Sequence, residues 1–136
     1  MTEETFYFNT SIWIDIYDKR GHNGEVAKKL IEKIIIDNCF VLYSDIVIIE
    51  LKKLGFSDYE INQMLGIAKP DNLKRANSNK SQFKEAKKLA KQRDVPMRDV
   101  LHAIIARDNE IQLISRDRDF CKLKDITQAK FPEEFL

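Results

Sequence analysis

The chain has 136 residues, 43% of them hydrophobic and 33% charged, which excludes a disordered polymer and predicts a single globular domain over 1–136. Its 23 basic and 22 acidic residues leave a formal charge of +1, so net charge selects no partner, and any affinity for nucleic acid has to come from local distribution. No apolar run approaches the roughly 18 residues of a membrane span, and the acidic start Met1-Thr2-Glu3-Glu4 lacks the basic region of a signal peptide; both predict a cytoplasmic protein with no membrane partner.

Taken in chain order, Thr5 to Phe8 is aromatic and β-branched, a strand candidate. Thr10 to Tyr17 reads as a helix that begins where the strand ends. Asp18 to Gly24 is a polar turn. Val26, Ala27, Leu30, Ile31, Ile34 and Ile35 recur at helical spacing and predict an amphipathic helix over Glu25 to Ile36. Phe40 to Tyr43 is a second strand. Ser44 or Asp45 caps the next helix, which Gly55 ends. Ser57, with Glu60 three residues on, predicts a capping box for a helix to Ile67. Its apolar residues Ile61, Met64 and Leu65 suit ordinary packing or a partner's groove.

Lys69 to Asn79 is polar and irregular, with room for one short extended piece. Ser81 to Arg93 is a strongly basic helix. Pro96 suits the first turn of a helix running to about Asp108. Ile111 to Ile114 is a third strand, and Asp125 to Thr127 is a candidate edge strand. Cys39 and Cys121 have no nearby ligand partners and each sits beside a Phe, so both read as reduced core residues. Alternating strands and helices imply a mostly parallel sheet covered on both faces. In such sheets ligands bind beyond the carboxyl ends of the strands, where Asn9, Asp45, Glu50 and Asp117 all fall.

Four acidic or amide-bearing segments recur at those ends: Phe8-Asn9-Thr10-Ser11, Ile49-Glu50-Leu51, Arg98-Asp99-Val100 and Arg116-Asp117-Arg118-Asp119-Phe120. On a helical wheel Ile46 and Leu54 lie within about 40° of Glu50, so the carboxylate faces the apolar side. A carboxylate there needs a cation, a metal or an opening to solvent. Asp99 shares a helix face with His102, Ala103 and Ala106, a face small enough for another element to approach closely. Asp117 is nearest the strand end. Asp119 suits a second ligand, a supporting acceptor or a helix cap. Asn9 offers only its side-chain oxygen, while Thr10 and Ser11 add hydroxyls. Together these groups predict a pocket for a divalent cation, with which a protein lacking a catalytic cysteine or serine triad can cut a phosphodiester.

Phe6 to Asp15, Asp45 to Leu51, Arg98 to Ala103 and Leu113 to Phe120, in this order and over the whole chain, resemble the PIN domain, and within it the VapC-like ribonuclease toxins. The resemblance implies a three-layer α/β/α sandwich with a central, mostly parallel sheet. It also implies an acidic pocket for Mg²⁺ or Mn²⁺ and endoribonuclease activity leaving 5′-phosphate and 3′-hydroxyl ends. A homodimer and a cognate antitoxin protein belong to the same expectation. The family's acids map to Asn9, Glu50, Asp99 and Asp117, with Asp119 as a frequent extra acid. Glu50, Asp99 and Asp117 are then the catalytic carboxylates, and Asn9, Glu50, Asp99, Asp117 and Asp119 the metal ligands.

RNA has to be held against this acidic pocket. Ser11, Arg116, Lys84, Lys87 and Lys88 are the expected contacts, the lysines splaying from the basic helix in a dense run that starts near Lys69. His102, one turn from Asp99, either contacts a phosphate or orients a carboxylate. Most family members carry Asp where this chain has Asn9. One negative charge is therefore lost, and the alternative reading is a weakened PIN-like scaffold that binds RNA or protein.

Overall fold

The computed structural model describes residues 5–18, 21–68 and 70–136. The acidic start at 1–4, Lys19 and Arg20 of the expected turn, and Lys69 of the basic run lie outside the described residues. Strand β1 (Thr5–Phe8) leads into α1 (Thr10–Tyr17) and α2 (Gly21–Ile36). Strand β2 (Phe40–Tyr43) leads into α3 (Asp45–Lys53) and α4 (Asp58–Gly66). A short β3 (Leu73–Arg75) precedes α5 (Lys80–Arg93) and α6 (Met97–Asp108), and β4 (Gln112–Ile114) follows. Two 3-10 turns, Arg118–Leu123 and Pro132–Phe135, come after it.

The strands form one four-stranded sheet in the order β3-β2-β1-β4, and every pairing is parallel. Phe6, Tyr7 and Phe8 of the inner strand β1 are all buried, the pattern of a strand covered on both faces. On one side α1 packs with α2 and α4, and on the other α5 packs with α6; α3 touches both groups through α1 and α6. The result is the expected three-layer α/β/α sandwich. Among the described residues no helix is long and apolar enough to cross a membrane.

Local chemistry sets the helix ends. Ser44 Oγ accepts the Val47 amide at the start of α3, and Gly55 takes φ +96° just past its end. Ser57 and Glu60 form the expected capping box of α4, and Asn79 and Gln82 make a second one for α5. Ile61, Met64 and Leu65 are buried, so α4 spends its apolar face on the core.

Three expectations change. Helix α2 begins at Gly21, a turn earlier than the sequence suggests, because Gly24 is buried in the packed face and packing overrides the weak propensity of Gly-His-Asn-Gly. Residues 125–127 form no strand; the edge of β4 is instead met by Lys130, bridged in parallel to Ile114. Cys121 is exposed on the 3-10 turn and Cys39 only partly buried, so neither is a core cysteine.

Candidate functional site

The parallel register decides what meets at the carboxyl end of the sheet. Phe8 pairs with Ile114, and the Asn9 amide donates to the Ile114 carbonyl at 3.0 Å. Asn9 and Ser115 are thus the next residues past two adjacent strands. Asn9 Nδ2 donates to Ser115 Oγ at 3.0 Å, and Ser115 Oγ also accepts the Asp117 amide at 3.0 Å. Asn9 Oδ1 accepts the Thr10 amide at 2.9 Å and so caps α1. The side-chain amide therefore ties the first turn of α1 to the loop that carries Asp117.

Above these strand ends lies a cleft of about 320 Å³, lined by Asn9, Thr10, Ser11, Glu50, Asp99 and Asp117 among others. Asp99 enters it from the first turn of α6 and Asp117 from the loop beyond β4, while Asp119, in the 3-10 turn that follows, stands next to them without lining the cleft. One ligand atom from each of Asp99, Asp117 and Asp119 falls within 4.8 Å of the others. Asp99 is buried and its pKa is pushed up to about 6, first by desolvation and then by the charge of Asp117, with Asp119 adding to it against the pull of Arg98 and His102. Asp117 Oδ1 also accepts the Asp119 amide at 2.9 Å, which fixes the two carboxylates relative to each other.

Glu50 sits on the inner side of α3, and a chain of buried polar groups holds it. Ser44 Oγ is 2.6 Å from Tyr7 Oη, and Tyr7 Oη is 2.6 Å from His102 Nδ1. His102 Nε2 bonds Glu50 Oε1, which also accepts the Thr10 hydroxyl at 3.2 Å. Counting donors sets the direction of this chain. The Glu50 carboxylate only accepts, so Nε2–H donates to it; Nδ1 of a neutral imidazole then accepts the Tyr7 phenol proton, and Tyr7 Oη accepts from Ser44 Oγ. Burial pushes the Tyr7 pKa far above its usual range, so the phenol keeps the proton this arrangement needs.

Burial also pushes the Glu50 carboxyl up, but His102, the Thr10 hydroxyl and the Arg98 guanidinium outweigh it and leave the pKa below its usual value. Glu50 Oε2 has the looser contact, 3.7 Å from Arg98 Nε. Glu50 is therefore a carboxylate with one oxygen anchored and the other toward the cleft.

The substrate-contact expectations divide. Ser11 lines the cleft. His102 is completely buried with both nitrogens engaged, so of its two expected roles it orients a carboxylate and does not reach a phosphate. Arg116 is turned away by a two-pronged pair with Glu133, Nη1 lying 2.9 Å from Oε2. Lys84, Lys87 and Lys88 are exposed on α5 and none lines the cleft. The start of α5 runs beside the end of α6, where Glu85 pairs with Arg107, about 12 Å along that helix from Asp99.

Tyr7, Ser44, Ser115 and Arg98 complete the site without having been singled out. For Tyr7 a signal exists: a phenol in a strand with no polar face needs a buried partner. Ser115 carries none in the sequence.

With this geometry in hand, comparison with known proteins is direct. The PIN domain family model matches residues 6–126, and the chain belongs to the PIN domain family. VapBC2 of Rickettsia felis, solved with a fragment of its promoter DNA, superposes with a TM-score of 0.67 at 19% identity over 93% of this chain and 98% of that one. VapBC-1 of nontypeable Haemophilus influenzae gives 0.66 at 18% identity over 95% and 98%. VapC20 of Mycobacterium tuberculosis, a sarcin-ricin loop cleaving toxin, gives 0.64 at 15% identity over 87% and 94%. These likenesses establish a shared fold. No protein of curated function matches the chain by sequence.

Proposed function

We propose that this protein is a divalent-metal-dependent endoribonuclease of the VapC type. The observation that carries the reading is the convergence of Asp99, Asp117 and Asp119 within 4.8 Å, beside the anchored Glu50, at the carboxyl end of a parallel sheet. Carboxylates so close repel one another, and the raised pKa of Asp99 records that strain together with its burial. A hard cation with oxygen ligands relieves it, and the all-oxygen donor set suits Mg²⁺ or Mn²⁺. Asp99, Asp117, Asp119 and Glu50 Oε2 would hold the ion, with the remaining lone pair of Asn9 Oδ1 as a neutral fifth donor. When bound, such an ion supplies a water of lowered pKa as nucleophile and offsets charge on the phosphoryl oxygens.

The chain's own groups do the positioning. His102 and Thr10 keep Glu50 ionised and aim its free oxygen. Asn9 and Ser115 set the loop of Asp117. Arg98, at the rim with its side chain 64% exposed, faces the cleft as a phosphate contact. Single-domain organisation, a homodimer and a cytoplasmic location belong to the same proposal. A cognate antitoxin does too, since fold relatives such as the toxin–antitoxin complex of Klebsiella pneumoniae are found paired.

One observation favours the weaker alternative, a scaffold that no longer cuts: Asn9 brings no charge, and its amide is spent on Thr10 and Ser115. Cleavage of structured RNA with Mn²⁺, Mg²⁺ or chelator separates the two. The nuclease cuts only with metal and stops with Asp99→Asn. A wild type that neither cuts RNA nor binds Mn²⁺ is a scaffold.

A further inference from the structure

Next to the acid cluster, at the outer edge of β4, a second hollow of about 270 Å³ is lined by Asp117, Arg118, Phe120, Lys124, Lys130 and Phe131, among others. Asp117 borders both hollows, so the second opens directly beside the first. Its walls are held by backbone bonds. The chain leaves β4, turns through residues 118–123 and returns so that the Lys130 amide donates to the Leu113 carbonyl and the Ser115 amide to the Lys130 carbonyl, each at 3.0 Å. Phe120 is buried beneath, which leaves an apolar floor.

The rim is unbalanced in charge. Arg116 is neutralised by Glu133, and Glu134 Oε2 is taken up by the Phe131 amide at 2.7 Å. Arg118, Lys124 and Lys130 have no carboxylate partner among the described residues. Three cations without a carboxylate partner among the described residues therefore ring a concave apolar surface, Lys130 with its ammonium 5.8 Å from the Phe135 ring centroid, and Phe131, 49% exposed, stands at its edge. Cations around an apolar floor with a half-exposed aromatic ring match a nucleotide whose base is unstacked: the phosphate takes the cations, and the base takes the part of the ring that the Arg116 guanidinium, 5.8 Å from its centroid, leaves exposed. A duplex keeps its bases stacked on one another and leaves such a ring unused. The lysines of α5, by contrast, project from a convex helix that does not adjoin the cleft.

We infer that this groove binds single-stranded RNA immediately beside the scissile phosphate, with a backbone phosphate among Arg118, Lys124 and Lys130 and a base against Phe131. The inference rests on the nuclease reading and assigns it a substrate path.

The test uses the full chain carrying Asp99→Asn, which keeps RNA intact, and a short fluorescein-labelled single-stranded oligoribonucleotide of mixed sequence read by anisotropy. Lys124→Gln and Lys130→Gln should each weaken binding and lower the slope of log K against log salt by roughly 0.7. Phe131→Ala should weaken binding about 5- to 100-fold with the salt slope unchanged, as loss of one stacked base requires. The inference fails if these variants match the parent while Lys84→Gln and Lys87→Gln lower the slope, because the RNA then lies on α5. It fails also if a glutamate-rich peptide displaces the RNA from the parent and loses affinity in the same groove variants, because the groove then takes an acidic protein segment. Mn²⁺ titration of the same proteins, with the Asp99 side chain restored, separates the two levels. Metal binding and RNA cutting that persist with a silent groove overturn the groove alone, whereas their absence overturns the nuclease reading and the groove with it.

Discussion

His102 gives its Nε2 proton to Glu50 Oε1 from a fully buried position, with Tyr7 fixing the imidazole from the other side. The carboxylate proposed as a metal ligand is thereby held at Oε1, and Oε2 keeps only the looser 3.7 Å contact with Arg98. Comparable supporting contacts to ligands in metalloproteins change metal affinity by about 10- to 100-fold when removed.

Replacing His102 tests that relationship. His102→Phe fills the space without a donor and should weaken Mn²⁺ binding about 10-fold or more. It should also lower stability by about 1–3 kcal/mol, because Tyr7 and Glu50 lose buried partners. His102→Gln keeps a donor near Glu50 and should recover most of the affinity. Nitrogen NMR of the wild-type imidazole should report a protonated Nε2 and a bare Nδ1. Equal metal binding by the Phe and Gln variants would remove His102 from the positioning role.

The pH dependence of the metal-free protein should carry the signature of Asp99, whose pKa is raised from 3.8 to about 6. The folded state holds this proton over a range where the unfolded chain has lost it. Its contribution to stability is therefore complete below about 3.8 and lost as pH rises through about 6. Asp99→Asn should then stabilise the metal-free protein near neutral pH by up to about 3 kcal/mol while abolishing cutting. Denaturation in chelator measures it, and a variant no more stable than wild type would contradict the assignment.

Metal addition should reverse the same penalty. Mn²⁺ at about a hundred times its Kd should stabilise the fold by about 2.7 kcal/mol, read as a rise in Tm. Binding should weaken as pH falls below about 6, because Asp99 must release its proton to become a ligand. Calorimetry in two buffers of different ionisation enthalpy should detect that proton. Its absence would place Asp99 outside the ligand set.

Asn9→Asp separates two roles of one side chain. A carboxylate accepts the Thr10 amide as the amide oxygen does, but it has no proton for Ser115 Oγ. The metal-free variant should lose about 1 kcal/mol of stability, while Mn²⁺ binds more tightly through the added charge. Unchanged affinity would make residue 9 a structural tie only.

Much of this molecule is legible one segment at a time. Ser57 and Glu60 announce the start of α4, Gly55 the end of α3, and the aromatic run Phe6-Tyr7-Phe8 a strand buried on both sides; these are local rules acting within a turn or two of chain. Glu50 on an apolar helix face and Asp117 past a strand end were visible as carboxylates in need of a reason. The start of α2 was not, because Gly21 to Gly24 has poor helical propensity and owes its helix to packing.

What tertiary structure alone decided is which groups meet. The register that sets Asn9 beside Ser115 and the burial that makes a relay of Ser44, Tyr7, His102 and Glu50 both join residues tens of positions apart. So does the turn that pairs Arg116 with Glu133 and sets Arg118, Lys124 and Lys130 around one hollow. Composition and periodicity determine that a side chain is apolar, charged or capping. Whether a charge is neutralised, and which oxygen of a carboxylate stays free, depends on partners that only the closed sheet and its covering helices bring within hydrogen-bond distance.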